Sequence, residues 1–118
     1  MKVVYVVLHY QVAQETICCV ESLLQNARVD EQNILIVDNG SSNNSAEILA
    51  EKYADVPNVL LVKAGANLGF ANGNNLGYQY ARETLGADIV AILNNDIVVE
   101  DARFTNKLVQ ACTACPDA

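Results

Sequence analysis

Residues 3–8, VVYVVL, form an unbroken apolar run with no alternation, the pattern of a strand covered on both faces. From Glu15 to Leu24, apolar Ile17, Val20, Leu23 and Leu24 recur at three- and four-residue spacing, which predicts an amphipathic helix. Ile34 to Val37 predicts a second buried strand, closed by the turn signal Asp38-Asn39-Gly40. Ser45 or a neighbouring asparagine is placed to cap a helix from Ala46 to Tyr53, with Glu47 near its positive end. Pro57 stops that helix, and Val59 to Val62 predicts a third strand. A glycine-rich stretch then leads into a helix ending near Thr84. Asp88 to Leu93 predicts a fourth strand, and a last helix is expected from about Asp101 to Cys112.

Strand and helix alternate, and the connections are too long for hairpins. Right-handed crossovers then give an α/β fold: a mostly parallel, Rossmann-like sheet with helices on both faces. In such sheets ligands bind outside the carboxyl ends of the strands. The polar clusters His9-Tyr10-Gln11, Asp38-Asn39-Gly40-Ser41-Ser42 and Asn94-Asn95-Asp96 follow strands one, two and four, so they are expected to converge on one rim. The sequence shows no internal repeat, linker or low-complexity segment.

Composition narrows the function classes. The 118 residues are 52% hydrophobic, enough for one domain with its own core. A formal net charge of −7, with seven scattered basic residues, excludes a nucleic-acid partner, which needs clustered Lys and Arg. An acidic chain can still hold a nucleotide when carboxylates grip a divalent cation that faces the phosphates. No apolar run reaches the length of a membrane span. The start, Met1 to Leu8, pairs a lysine with apolar residues as a short signal peptide does. It lacks a small-residue cleavage site and is β-branched, so it reads as a buried strand. Cys112-x-x-Cys115 has metal-ligand spacing, but Cys18 and Cys19 are adjacent and point about 100° apart on a helix. The four thiols therefore read as reduced, which places the chain in the cytosol.

Three groups could carry chemistry. Asp38 ends the second strand, where a carboxylate either accepts hydrogen bonds from a nucleoside or caps its own turn. Asn94-Asn95-Asp96 breaks off the apolar run Ile89 to Leu93, which places Asp96 at the sheet's rim. A cation on a diphosphate needs only one or two protein carboxylates, although an Asx-rich turn is the plainer alternative. Gly69, Gly73, Gly77 and Ala81 recur every four residues and form a smooth stripe on a helix. Each helical glycine costs about 1 kcal/mol relative to alanine, so either a neighbouring element or a ligand approaches the stripe closely. The stretch lacks the spacing of a dinucleotide fingerprint and the Gly-Lys-Ser/Thr of a P-loop. His9, the one histidine, stands at the end of strand one near the ligand side, where a satisfied structural role is the better reading.

The ordered set of motifs resembles inverting family-2 glycosyltransferases of the type-A fold, in their rhamnosyltransferase-like branch. The residues that carry the resemblance are Val7-Leu8-His9-Tyr10, Cys19-Val20-Glu21-Ser22-Leu23-Leu24, Ile36-Val37-Asp38-Asn39-Gly40-Ser41-Ser42, Asn67-Leu68-Gly69-Phe70-Ala71-Asn72-Gly73-Asn74-Asn75 and Leu93-Asn94-Asn95-Asp96. The resemblance implies that residues 1–118 are the nucleotide-sugar-binding part of such an enzyme, cut before its acceptor half. It implies a nucleoside-diphosphate sugar donor (dTDP- or UDP-sugar), a saccharide or lipid-linked acceptor, and Mg²⁺ or Mn²⁺ held by Asp96. Asp38 would contact the base, and the donor pocket would include His9, Tyr10, Asn67, Gly69, Asn75, Asn94 and Asn95. The first position of the metal motif is Asn94, where the family pattern has Asp.

The family's base is a carboxylate well downstream of Asp96, so these 118 residues are expected to be inactive alone. When acceptors are lipid-linked, the enzyme sits peripherally at the inner face of the membrane. Two other readings stand beside this one: a nucleotidyltransferase, or a non-catalytic interaction module of the same fold. The oligomeric state is left open.

Overall fold

The computed structural model describes residues 2–26, 33–66 and 69–98, together with Arg103 and Lys107. Seven elements alternate: β1 (Val3–His9), α1 (Ala13–Asn26), β2 (Ile34–Asp38), α2 (Ser45–Lys52), β3 (Val59–Lys63), α3 (Phe70–Glu83) and β4 (Ile89–Asn94). The predicted last helix, from about Asp101, lies outside the described residues except for Arg103 and Lys107, and Asn67, Cys112 and Cys115 also lie outside them.

The four strands form one parallel sheet in the order β3-β2-β1-β4. β1 is one of the two inner strands, and all seven of its residues are buried, as the unbroken apolar run requires. Val3, Tyr5 and Val7 face a core shared with Cys19, Val20 and Leu23 of α1 and with Leu49 of α2. Val4, Val6 and Leu8 face the opposite core, which is closed by Ala81, Leu85 and Ala87 at and after the end of α3. Each fully buried Val or Leu contributes about 1.5–3 kcal/mol, so the two-sided burial of β1 anchors the domain. No helix among the described residues is long and apolar enough to cross a membrane.

Two local readings are corrected and one, the apolar face of α1, is extended. The run Ile89 to Leu93 reads as a strand covered on both faces, but β4 alternates: Ile89, Ala91 and Leu93 are buried while Ile92 is 43% exposed. The reason is position, since among the described residues β4 pairs only with β1 and the α3-side core reaches no further along it than Val90. The inward face of α1 is Thr16, Cys19, Val20 and Leu23, with Ile17 and Leu24 only half-buried. Thr16 turns inward because its hydroxyl meets a buried ring nitrogen of His9. At the start of α2 the N-cap residue is Asn44, which makes no side-chain cap bond; Asn43 instead accepts from the Ser45 amide at 3.1 Å, and the Ser45 hydroxyl is used elsewhere.

The glycine stripe divides into two causes. A Cβ on Gly77 would stand 2.5 Å from Val6 Cγ1, and one on Gly73 would stand 2.9 Å from Leu8 Cδ1, so α3 lies almost against the sheet. Packing against a neighbouring element, rather than a ligand, explains both. Gly69 precedes the helix with φ 82° and open space around it, a left-handed backbone that favours glycine for conformation and not for room.

Candidate functional site

The winding of the chain decides where a cleft can open. From β1 the chain steps outward through α1 to β2 and through α2 to β3, with both helices on one face. It then returns across the other face through α3 and places β4 on the far side of β1. The direction of winding reverses between β1 and β4, and in open parallel sheets that reversal leaves a crevice beyond the strand ends. A cleft of about 240 Å³ lies there, lined by Leu8, Tyr10, Glu15, Asn94, Asn95 and Asp96.

Strand register aligns the predicted residues. His9 pairs with Asp38 and Asp38 with Lys63, while Leu8 pairs with Asn94, so Asn95 follows one residue beyond at the level of His9. Tyr10, Asn94 and Asp96 are exposed, and Asn95 is half-buried. The cleft holds two carboxylates, Glu15 and Asp96, and no lysine or arginine among its lining residues.

Beside the cleft, the loops after β1 and β2 are interlocked. Gln11 has a left-handed backbone, φ 67°, uncommon for a residue with a side chain. Its amide donates to Ser41 Oγ at 2.9 Å and its carbonyl accepts from Asn43 Nδ2 at 2.7 Å. Its side chain donates to Ser42 Oγ at 2.8 Å and accepts from the Ser42 amide at 2.9 Å. These four bonds offset the strain of the backbone. Asp38 lies beneath this lattice, 5% exposed, and its Oδ1 accepts from Ser41 Oγ at 2.6 Å and from the Ser41 amide at 3.3 Å. One carboxylate oxygen therefore caps the turn, as the plainer reading of Asp38 expects. Asn39 Nδ2 donates to the Gly69 carbonyl at 3.3 Å, which ties the start of α3 to the same loop.

His9 is fully buried, with Nδ1 2.6 Å from Thr16 Oγ1 and Nε2 2.9 Å from Ser45 Oγ. Burial lowers its pKa from the ordinary value, against the opposing charge of Asp38. The ring is thus a structural group under the rim. Cys19 sits below β4, its thiol 3.9 Å from the Asn94 carbonyl and pushed up to about 11 by burial and then by the charge of Asp96. It remains a protonated thiol, and Cys18 is exposed and likewise free.

The structure therefore brings together Tyr10, Asn94, Asn95 and Asp96, with Asp38 and His9 beneath and beside them. Gly69 joins through the Asn39 bond. Asn75 is exposed on α3, about 200° around the helix from both Gly73 and Gly77, and so faces away from the sheet. Gln11 closes the polar cluster expected at this rim, whereas Glu15, Thr16 and Ser45 belong to the rim but carry no motif in the sequence. Their one signal is position: each lies within a few residues of the carboxyl end of β1 or at the first turn of a following helix.

Among the described residues no group of three or more His, Cys, Asp or Glu side chains could cage a metal. Asp96 and Glu15, with the amide oxygens of Asn94 and Asn95, fit a hard cation such as Mg²⁺ or Mn²⁺ that draws its other oxygens from a bound diphosphate and water.

Solved structures share this architecture. A crystal structure of S. aureus TarS, residues 1–349, superposes with a TM-score of 0.71 at 18% identity, covering 97% of this chain and 33% of that one. A second TarS structure gives a TM-score of 0.67 at 18% identity, covering 99% of this chain and 20% of that one. Both show the type-A-like α/β fold. The low-salt glycan biosynthesis hexosyltransferase Agl10 of Haloferax volcanii is 30% identical over 71 residues, which are 58% of this chain. The chain spans 22% of the length of that relative. The sequence model of glycosyl transferase family 2 matches residues 5–117, and the chain belongs to that family.

Proposed function

We propose that the cleft between β1 and β4 binds the diphosphate of a nucleoside-diphosphate sugar, a dTDP- or UDP-sugar, together with Mg²⁺ or Mn²⁺. The observation that carries this reading is a cleft at the winding reversal whose described lining residues include two carboxylates and no basic residue. A diphosphate would be repelled from those walls without a cation between them. Asp96 would hold the metal, and Asn94 and Asn95, which line the same cleft, would offer amide oxygens to that ion or to the ribose. Tyr10 offers an exposed ring face at the cleft's edge, and the Asp38 loop supports the nucleoside.

These residues serve the donor side of a sugar transfer with inversion. An acceptor hydroxyl attacks the anomeric carbon, its proton passes to a base, and the bond from that carbon to the diphosphate oxygen breaks. When bound, the cation neutralises charge on the departing diphosphate. Within this chain the task is to bind and orient the donor, and the acceptor side and base belong to residues outside this site. The name of the Haloferax relative brings a hexosyl donor into the reading, and rhamnose is a deoxyhexose in keeping with it. The turn His9-Tyr10-Gln11 lacks the glycine-rich basic loop that a nucleotidyltransferase would place after β1.

Calorimetric titration of thymidine and uridine diphosphates into this chain, with and without Mn²⁺, tests the reading. Binding should require Mn²⁺ and fall at least about tenfold in Asp96→Ala. Equal binding without the metal, or with Asp96 replaced, overturns it.

A further inference from the structure

Polar groups at and beneath the cleft form one chain of contacts: Asn95 Nδ2 is 3.2 Å from Thr16 Oγ1, which is 2.6 Å from His9 Nδ1, and His9 Nε2 is 2.9 Å from Ser45 Oγ. An amide nitrogen only donates, so the Thr16 oxygen accepts from Asn95. Thr16 has a single hydroxyl proton. If that proton goes to Nδ1, the ring carries its own on Nε2 and donates it to Ser45. Every donor then points the same way, from Asn95 through Thr16 and His9 to Ser45. The opposite tautomer directs two protons onto the Thr16 oxygen and leaves Thr16's own proton without an acceptor in this group. A doubly protonated ring has the same defect, and burial of His9 works against it.

We propose that His9, with its proton on Nε2, is the positioning residue of the cleft, acting through Thr16 to fix the spacing of its two carboxylates. Thr16 adjoins Glu15 in the first turn of α1, and Asn95 adjoins Asp96 after β4. The Thr16 oxygen thus pins the two carboxylate-bearing walls to each other. His9, which has no exposed surface, sets the direction in which that pin bonds. The same ring reaches Ser45 at the start of α2, and so joins the lattice beside Asp38 to the loop after β4. The functional part of this inference rests on the donor-site reading.

The chain has one histidine, so its ring nitrogens can be assigned without ambiguity in a long-range proton–nitrogen spectrum. The expected result is a protonated Nε2 and a bare, hydrogen-bonded Nδ1. Thr16→Val keeps the shape and removes the hydroxyl. It should shift the Asn95 side-chain amide signals and weaken Mn²⁺-dependent uridine diphosphate binding about tenfold, and Thr16→Ser should restore both. A proton on Nδ1, or Asn95 signals unmoved in Thr16→Val, overturns the relay, and the tautomer measurement needs no variant to fold. Binding by the unmodified chain that survives Thr16→Val also overturns it. Absence of Mn²⁺-dependent binding in the unmodified chain instead overturns the donor-site reading, and the spectra then decide the relay alone.

Discussion

The rim has two walls, and they are built differently: the β2 wall stands beside the cleft, and the β4 wall lines it. On the β2 side, Gln11, Ser41, Ser42, Asn43 and Asp38 bond to one another around a left-handed residue, and Asp38 lies almost out of solvent. On the β4 side, Asn94 and Asp96 are exposed, Ile92 beneath them is open to solvent, and Asn95 bonds across to Thr16. The β2 wall has its geometry before any ligand arrives. The β4 wall keeps its carboxylate in water, open to the cation and phosphates proposed for it. The contrast follows from sheet order, since β2 lies between two strands and under α3 while β4 has a neighbour on one side only among the described residues.

Four measurements can break or sharpen this contrast. The largest effect is expected from Gly77→Ala. Its new methyl would meet Val6 and Val37 at 2.5 and 3.1 Å, where the centre of the sheet has no slack. We expect a loss of about 1–3 kcal/mol in denaturant unfolding, and an unchanged midpoint would show that the β2 side yields as readily as the edge. Next, Asp38→Ala removes both bonds to Ser41. It should cost about 1–2 kcal/mol, whereas Asp96→Ala, at an exposed position, should alter stability by less than about 0.5 kcal/mol while abolishing metal-dependent binding. Equal costs at the two aspartates would erase the difference between the walls.

A smaller effect comes from His9, whose pKa is lowered from its ordinary 6.5 by burial, the charge of Asp38 opposing. The unfolded chain then binds this proton first as pH falls below about 6.5, so stability is full above that value and declines towards the lower folded one. Urea midpoints taken from about pH 7.5 downward should fall in that window, and a flat profile would show that the ring accepts its proton in place. The smallest effect is expected at Ile92→Thr, within about 0.5 kcal/mol, because its side chain is 43% exposed on the edge strand. A cost of several times that figure would mean the β4 face is covered in solution.

Much of this architecture is legible from residues. VVYVVL can only be a strand with two covered faces, and each of the polar clusters that ends a strand did reach one rim. What periodicity could not supply was neighbours. Ile92 lies in an apolar run as continuous as that of β1, yet its exposure depends on where α3 crosses, a fact about the third dimension. Thr16 and Ser45 read as ordinary helix starts, and their use by one buried histidine becomes visible only when β1, α1 and α2 are brought together. The glycines at 69 and 73 look alike in sequence, but one answers to a backbone angle and the other to a side chain across the gap.

The close seating of α3 has a mechanical consequence. A helix held at Gly73 and Gly77, one turn apart, has two points of support on the same strand and can neither roll nor slide without lifting off Leu8 and Val6. Its first turn, hung from the Asn39 side chain through the Gly69 carbonyl, therefore moves as part of the sheet. On the donor-site reading proposed above, adjustment to sugars of different size falls to the loop after β4 rather than to α3, which makes Asn94 to Asp96 the place where altered sugar preference would be sought by substitution.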